Sequence, residues 1–487
     1  MARKWWTLVS VCVAIFMLLL DITIVNVALP AIQRSLNASF SDLQWVIDAY
    51  ALTLATCVLT AGSMSDLFGR KRIFAAGIVI FTAASALCGA ANDPLFLIIA
   101  RAVQGVGGSI MFATSLALIS QEFHGKERGT AFGIWGATTG AAVAVGPLAG
   151  GILTSELSWR WIFLVNIPIG VAAVAITLTK LAESKDPQHG SIDPLGLVLL
   201  TGGIFSLVFA LIEGNKRGWS SAFIVTFIVL AAVLIAGFLV QQSRRATPML
   251  DVSLFKVPAF AGAQIAAFCL SASLFAMFLY LTLYIQDILG YSPLQAGLRF
   301  LPITLLAFFT APIAGKLTAH APVRLLMGGG LAIVALSMAL MAHVKTSSHW
   351  TVLLAGFIVG GIGIGLINPS LATTAISTVP REQAGVGSGI NATFRQVGIA
   401  TGIAGLGAIF QHQITAYVTT HPSRGPVPII PSGAIPFFDH AAFVSALNEI
   451  LWVGAAVAGV GAALAFALVR KQDFLASGGP PRAAPEG

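Results

Sequence analysis

Residues 17–30 read MLLLDITIVNVALP and set one carboxylate, Asp21, inside an apolar run that reaches back to Trp5. At a rise of about 1.5 Å per residue, such a run is a helix able to cross a hydrocarbon core of about 30 Å. An ionised Asp near the middle of that helix costs roughly 3 kcal/mol or more, so a chain that keeps one has a use or a partner for it. The same pattern recurs along the chain. Of its 487 residues 57% are hydrophobic and 9% charged, against about 25% charged in an ordinary soluble domain. The apolar residues fall in runs of about 20, separated by short loops that hold the Gly, Pro and charge. The expected fold class is therefore an all-α integral membrane protein. Its spans are predicted at 5–30, 43–65, 73–91, 95–120, 130–155, 161–181, 194–213, 221–241, 258–287, 294–318, 325–344, 350–374, 384–411 and 443–468.

Charge tests this count of fourteen, because cytoplasmic loops carry the excess of Lys and Arg. With the N-terminus inside, the termini and inside loops hold 18 of the 27 basic residues, the outside loops 6 and the spans 3. Both termini and the loop 182–193 are thus expected to be cytoplasmic. The net charge of +8 is spread over loops rather than gathered on one soluble face, which argues against a nucleic-acid partner. The start MARKWW followed by an apolar run resembles a signal peptide, yet Asp21 interrupts it and thirteen spans follow, so it is expected to stay uncleaved.

A weak internal repeat suggests the architecture. Shifting the chain by 251 to 255 residues lays Leu43-Gln44 on Leu294-Gln295, Ala61-Gly62 on Ala314-Gly315, Gly105 on Gly360, and Ser115-Leu116-Ala117 on Ser370-Leu371-Ala372. The expected organisation is a six-helix half at 1–185, an inserted helix pair at 186–250, a second six-helix half at 251–472 and a flexible cytoplasmic tail at 473–487. Two parallel repeated halves suit a carrier with its site at their interface.

Several motifs in order make the chain resemble the major facilitator superfamily, in particular its fourteen-helix drug:proton antiporter branch. They are LDITIVNVALP in span 1, GSMSDLFGRKR between spans 2 and 3, RAVQGVGGS in span 4, GATTGAAVAVGPLAGG in span 5, SWRWIFLVNIPIG entering span 6, and YSPLQAG and NATFRQVG in the second half. The resemblance implies a multidrug efflux transporter of the cytoplasmic membrane that exports lipophilic, including cationic, compounds in exchange for protons and confers antibiotic resistance. Its partners would be the small-molecule substrate, protons and the lipid bilayer, with no cofactor and with the monomer as the functional unit. An importer or exporter of one specific metabolite on the same fold is the alternative.

Candidate site residues follow. Asp21 lies about 14 Å below the outer end of span 1, and Asp48 and Arg101 roughly 8 and 9 Å below the outer ends of spans 2 and 4. A carboxylate withdrawn from water holds its proton to higher pH and a nearby Arg opposes this, so a change in burial or pairing loads and releases a proton. Asp21, Asp48 and Arg101 are the proton-coupling candidates; the rival readings are a permanent Asp21–Arg101 ion pair and an Asp48 that lies in the outer interface. In GSMSDLFGRKR, Gly62 permits close helix approach, Asp66 sits at the positive end of span 3, Gly69 supplies the turn, and Arg70, Lys71 and Arg72 mark the inside face. The resemblance makes this loop a cytoplasmic latch between the halves. The second-half counterpart has Ala319 where Asp66 would fall.

In span 5, Gly136, Gly140, Gly146, Gly150 and Gly151 allow close backbone approach, and Pro147 favours a kink. The resemblance makes this the antiporter motif; ordinary tight packing is the other reading. Arg395, about 16 Å from either face, is too deep to snorkel and is expected to face the cavity or a carboxylate such as Glu449. Arg299 and Glu213 lie close enough to the outer interface to snorkel.

Other chemistries lack their residues. There is no GxxxxGK[ST] phosphate loop, the eight His lack metal spacing, and Cys12, Cys57, Cys88 and Cys269 are isolated in apolar spans. GVGAAL at 459–464 imitates a dinucleotide fingerprint inside a span. A channel and a membrane-embedded enzyme are the disfavoured alternatives, the first for want of a filter, the second for want of a nucleophile–base or metal constellation.

Overall fold

The computed structural model describes residues 3–123, 125–184, 193–245, 248, 250, 252–318, 321–379, 384–420 and 440–473; among them there is no strand. Lipid offers no hydrogen bonds to the backbone, and the chain answers with helices of membrane length. These are α1 (Arg3–Leu36), α2 (Phe40–Phe68), α3 (Arg70–Gly89), α4 (Pro94–Glu122), α5 (Gly125–Glu156), α6 (Trp161–Lys180), α7 (Pro194–Arg217) and α8 (Ala222–Arg244). Then follow α9 (Pro258–Ile288), α10 (Pro293–Leu317), α11 (Val323–Met341), α12 (Leu354–Ser377), α13 (Ala384–Thr420) and α14 (His440–Leu468). A helix stands at each of the fourteen expected spans, and among the described residues thirteen of them are long and apolar enough to cross a membrane, α2 being the exception. Several run beyond the hydropathy boundaries: α1 continues through Pro30 to Leu36, and α5 begins at Gly125. Hydropathy marks the apolar slab, whereas caps and turn residues set where a helix stops.

Those caps are local chemistry. Ser39 opens α2 in a capping box with Asp42, and Ser292 opens α10 in a capping box with Gln295, the same device 253 residues later. Asp93, Asp193 and Ser221 cap α4, α7 and α8 through side-chain oxygens. Gly69 joins α2 to α3 at φ 111°, a conformation that L side chains rarely adopt. Within α9, π-helical turns at Ser271–Phe275 and Tyr284–Ile288 interrupt the α-helical bonding.

Packing repeats as well. Among the first six helices α4 lies against α2 and α3, and among the last six α12 lies against α10 and α11. The two sets meet through α5 on α10 and α13 on α2, contacts that exchange when each helix is replaced by its counterpart eight places along the chain. The α7–α8 hairpin leans on α2 and α13 and presents most of α8 outward, with Ile224, Ala231, Phe238 and Gln242 its buried residues. Both ends of the described chain share one face, the terminal face: Arg3 pairs with Glu122 at 3.4 Å, and Asp473 accepts from the Ala259 N–H at the start of α9 at 3.2 Å. The opposite side is the far face.

Candidate coupling site and central cleft

Asp21 and Arg101 meet. α1 and α4 bring them into an ion pair in which each residue is 1% exposed. Gln104, one turn along α4, accepts from Arg101 Nη1 at 2.8 Å and donates to Asp21 Oδ1 at 2.9 Å. Asn166 of α6 donates to Ser85 Oγ at 3.0 Å and to Asp21 Oδ1 at 3.4 Å, and Ser85 Oγ donates to the Phe163 carbonyl at 2.9 Å. Arg101 Nε donates to the Val46 carbonyl at 3.1 Å, and the Tyr50 ring lies 4.2 Å from its guanidinium carbon. Every polar atom of Asp21 is thereby satisfied in hydrocarbon surroundings, which is what makes so deep a charge tolerable.

The cleft between the two sets of helices begins one residue further along α1. Its wall holds Ile22, Thr23 and Asn26 of α1, Ile47 of α2, Pro147 of α5, Phe275, Phe278 and Thr282 of α9, Phe300 and Thr304 of α10, and Ile399 and Ile403 of α13. A smaller recess shares Ile22, Ile47 and Ile399 with the cleft wall and is lined also by Tyr50, Gln396 and Arg101. Asp21 thus sits behind the α1 wall, with the cleft in front and Arg101 behind.

On the far face the two sets close against each other. Arg34 pairs with Asp287 at 3.1 Å, Gln286 donates to the Val27 carbonyl at 2.7 Å, and Gln44 to the Ile403 carbonyl at 3.0 Å. The Ser155 hydroxyl accepts from the Leu294 N–H at 3.0 Å. Phe40, Tyr280 and Phe410 stack across the seam with centroids 5.3 to 5.9 Å apart. Thr393 Oγ1, donating to the Ala55 carbonyl at 3.2 Å, marks mid-depth. Of the span-5 glycines, Gly151 lets α5 approach α10 across this seam, while Gly146 and Gly150 let α5 approach α1 within the first set. A Cβ on Gly151 would stand 2.7 Å from Leu294 Cα and one on Gly150 would stand 2.8 Å from the Ile24 carbonyl, while Gly146 abuts Thr23 and Gly140 has only ordinary contact with Phe308 at 3.4 Å. Gly136 lies within α5, but its surroundings are outside what is described.

The comparisons with known proteins fall on the same architecture. The family model described as Major Facilitator Superfamily matches residues 11–403. The chain belongs to the major facilitator superfamily. It is similar to a puromycin resistance protein of Streptomyces alboniger, 37% identical over 424 residues that cover 86% of this chain and 84% of that one. It is also similar to a riboflavin transporter of Clostridioides difficile, 31% identical over 476 residues, covering 97% and 99%. Its fold is that of a crystallised bacterial homologue of the human lysosomal transporter Spinster, with a TM-score of 0.66 over 98% of this chain and 99% of that one at 17% identity.

Other expected site residues of this superfamily member lie apart. Asp48 is fully buried on α2, one turn from Gln44, and neither of its carboxylate oxygens has a hydrogen-bond partner; it does not join the Arg101 network. Arg395 does not meet Glu449, which is exposed on α14; its guanidinium bonds the Asn368 side-chain oxygen instead. Arg299 lies 3.4 Å over the Tyr291 ring, and Glu213 pairs with Arg217 at 3.1 Å, so both charges end near the far face as snorkelling requires.

The expected loop is a single residue, Gly69, and in the first turn of α3 the Arg70 N–H donates to the Ser184 carbonyl at 2.9 Å, Lys71 Nζ to the Leu178 carbonyl at 2.8 Å, and Arg72 pairs with Glu183 at 3.5 Å. These partners all belong to the first six helices and the strand of chain leaving α6. Among the described residues nothing lies within 4 Å of a Cβ placed on Gly62, so none of them makes the close helix approach expected there. The side chain of Asp66, and Ala319, lie outside the described residues. The sequence reading missed Gln104, Ser85 and Asn166. Gln104 was findable as the i+3 neighbour of Arg101, and Asn166 as the polar residue of an apolar motif; Ser85, a lone small residue in α3, gives no sequence cue.

Proposed function

We propose that this carrier exports lipophilic small molecules across the cytoplasmic membrane in exchange for protons, with both termini in the cytoplasm and the monomer as the working unit. The observation that carries the reading is the buried Asp21–Arg101 pair standing directly behind the wall of a cleft formed by both sets of helices. Protonation of Asp21 removes its attraction to Arg101 and leaves the guanidinium to Gln104 and the Val46 carbonyl, which loosens α1 from α4. Loss of the proton restores the pair and draws α1 back. A substrate seated against Ile22, Thr23 and Asn26 feels that movement through α1 itself. Each elementary charge moved across the potential contributes about 2.3 kcal/mol per 100 mV. Asp48, buried without a partner, serves as the assisting proton site. Arg70 and Lys71 at the start of α3, with Gly62 and Asp66 near the end of α2 and Gly69 between the two helices, form the cytoplasmic latch.

Similarity to a puromycin resistance protein supports drug export. Similarity to a riboflavin transporter over 97% of the chain favours a second reading, a carrier of one metabolite. Reconstituted vesicles with an imposed pH gradient and a compound panel separate them: several unrelated compounds should each drive proton release and be expelled, and transport of a single compound would establish the second reading. Asp21→Asn should keep measurable ligand binding and lose gradient-driven transport; undiminished export by that variant removes Asp21 from the mechanism. A Cys at position 188 should label from the cytoplasmic side, and labelling from outside would overturn the topology.

A further inference from the structure

The cleft and the charge beside it define the guest more closely, an inference that rests on the exporter reading above. Among the described residues, no ionisable side chain lines the cleft. Phe275, Phe278 and Phe300 supply aromatic surface to its wall, which suits a planar aromatic molecule. The cleft hydroxyls are already spent as donors: Thr23 Oγ1 donates to the Leu20 carbonyl at 3.1 Å, Thr282 to Phe278 at 2.7 Å and Thr304 to Phe300 at 3.3 Å. What they leave toward the cleft is lone pairs, which accept from ligand O–H or N–H groups.

The charge nearby is positive. Asp21 is 1% exposed and engaged by Arg101, Gln104 and Asn166, and Asp48 is 0% exposed, so neither carboxylate is offered to a guest. Arg395 lies one helical turn before Ile399 and two before Ile403, on the α13 face that borders the cleft. It is half-buried, and its neighbour Gln396 borders the recess that Arg101 also lines. Its one hydrogen-bonded partner, Asn368, is neutral, and its Nε has no acceptor. Among the described residues no carboxylate pairs with it. α13 is enclosed by α2, α9, α12 and α14, and Arg395 stands about 16 Å from the start of that helix, so the guanidinium cannot reach a lipid headgroup. A cation kept at this depth without a counter-charge is costly, and the missing anion is one that a ligand can bring.

We propose that the substrate class is a planar aromatic molecule with hydroxyl or N–H donors and an acidic group that docks on Arg395, and that permanent cations are disfavoured. Isothermal titration calorimetry of the purified full-length protein in nonionic detergent tests this with three probes. These are the anion 1-anilinonaphthalene-8-sulfonate, its near-isosteric neutral relative N-phenyl-1-naphthylamine, and the cation ethidium. The sulfonate should bind about tenfold more tightly than the neutral amine, the scale of one charge-assisted contact, and ethidium most weakly. Arg395→Gln should erase the sulfonate's advantage while leaving the neutral amine unchanged, and Arg395→Lys should retain it. The wild-type ranking needs no variant, so a poorly folding Arg395→Gln leaves the test intact. Ethidium binding as tightly as the sulfonate, no binding by any probe, or a sulfonate advantage that survives Arg395→Gln overturns the proposal. Gradient-driven export of cations would then still stand as the exporter reading, whereas an anion preference without any proton-driven transport overturns that reading and not this one.

Discussion

Two buried carboxylates in this chain are held in opposite ways. Asp21 is satisfied by Arg101, Gln104 and Asn166, whereas Asp48 has no partner for either oxygen. Removing one member of a buried pair strands the other charge, at a cost of about 3–5 kcal/mol. Arg101→Ala should therefore lower the thermal midpoint in detergent sharply, and Asp48→Asn should leave it nearly unchanged because no hydrogen bond is lost. If Arg101→Ala and Asp48→Asn unfold alike, the network does not carry the stability that its geometry implies. A swap of Asp21 and Arg101 separates the roles: a purely structural pair predicts recovered stability and recovered transport, while proton coupling predicts recovered stability without transport. Asp21 itself was legible in the sequence because a lone charge in 26 apolar-rich residues is expensive; its second ring of partners was not, because Ser85, Gln104 and Asn166 come from three helices whose mutual rotation no single span reveals.

Helices here are placed by small residues and caps. A valine at Gly151 would press its Cβ into the Leu294 backbone, 2.7 Å away, and main chain cannot yield as a flexible side chain can. Gly151→Val should push α5 from α10 and open the far face, read as increased labelling of a Cys at position 34 or 287; unchanged labelling would mean that the two helices do not set the closure. At the foot of the α7–α8 hairpin, Asp193 draws in the Gly196 N–H at 2.9 Å, Gln241 at 3.0 Å, Gln242 at 2.6 Å and Arg245 at 3.2 Å. Burial by itself would push this carboxyl up, but the Gly196 N–H, the two Gln amides and the Arg245 charge outweigh it and hold it below the usual carboxylate range. A depressed folded value stabilises above the unfolded value of about 3.9, and that contribution is lost as pH falls through the folded value. Protease sensitivity of the hairpin should therefore rise below about pH 4 in the wild type. Asp193→Asn should show the raised sensitivity already at neutral pH, with a flatter acid response.

Across the whole molecule, cross-set hydrogen bonds and ion pairs among the described residues run from mid-depth at Thr393 and Ala55 to the far face at Arg34 and Asp287. In the alternating-access cycle of the exporter proposed above, this is the arrangement closed at the far face. Cysteines at 155 and 294, placed where Ser155 meets the Leu294 backbone, should cross-link and halt transport, and reduction should restore it. Continued transport by the cross-linked protein would show that this seam does not open. By itself the sequence determined the membrane class, the number of helices, the repeat and the candidate charges, because these follow from apolar length, loop charge and the cost of burying an ion, all of which are local or additive. Tertiary packing alone fixed that Arg101 reaches Asp21, that Asp48 has no hydrogen-bond partner among the described residues, that Arg395 faces Asn368 rather than Glu449, and that no described residue lies within 4 Å of a Cβ on Gly62. Those outcomes depend on how each helix is rotated about its axis and at what height it crosses its neighbours, and that is fixed by packing between segments hundreds of residues apart.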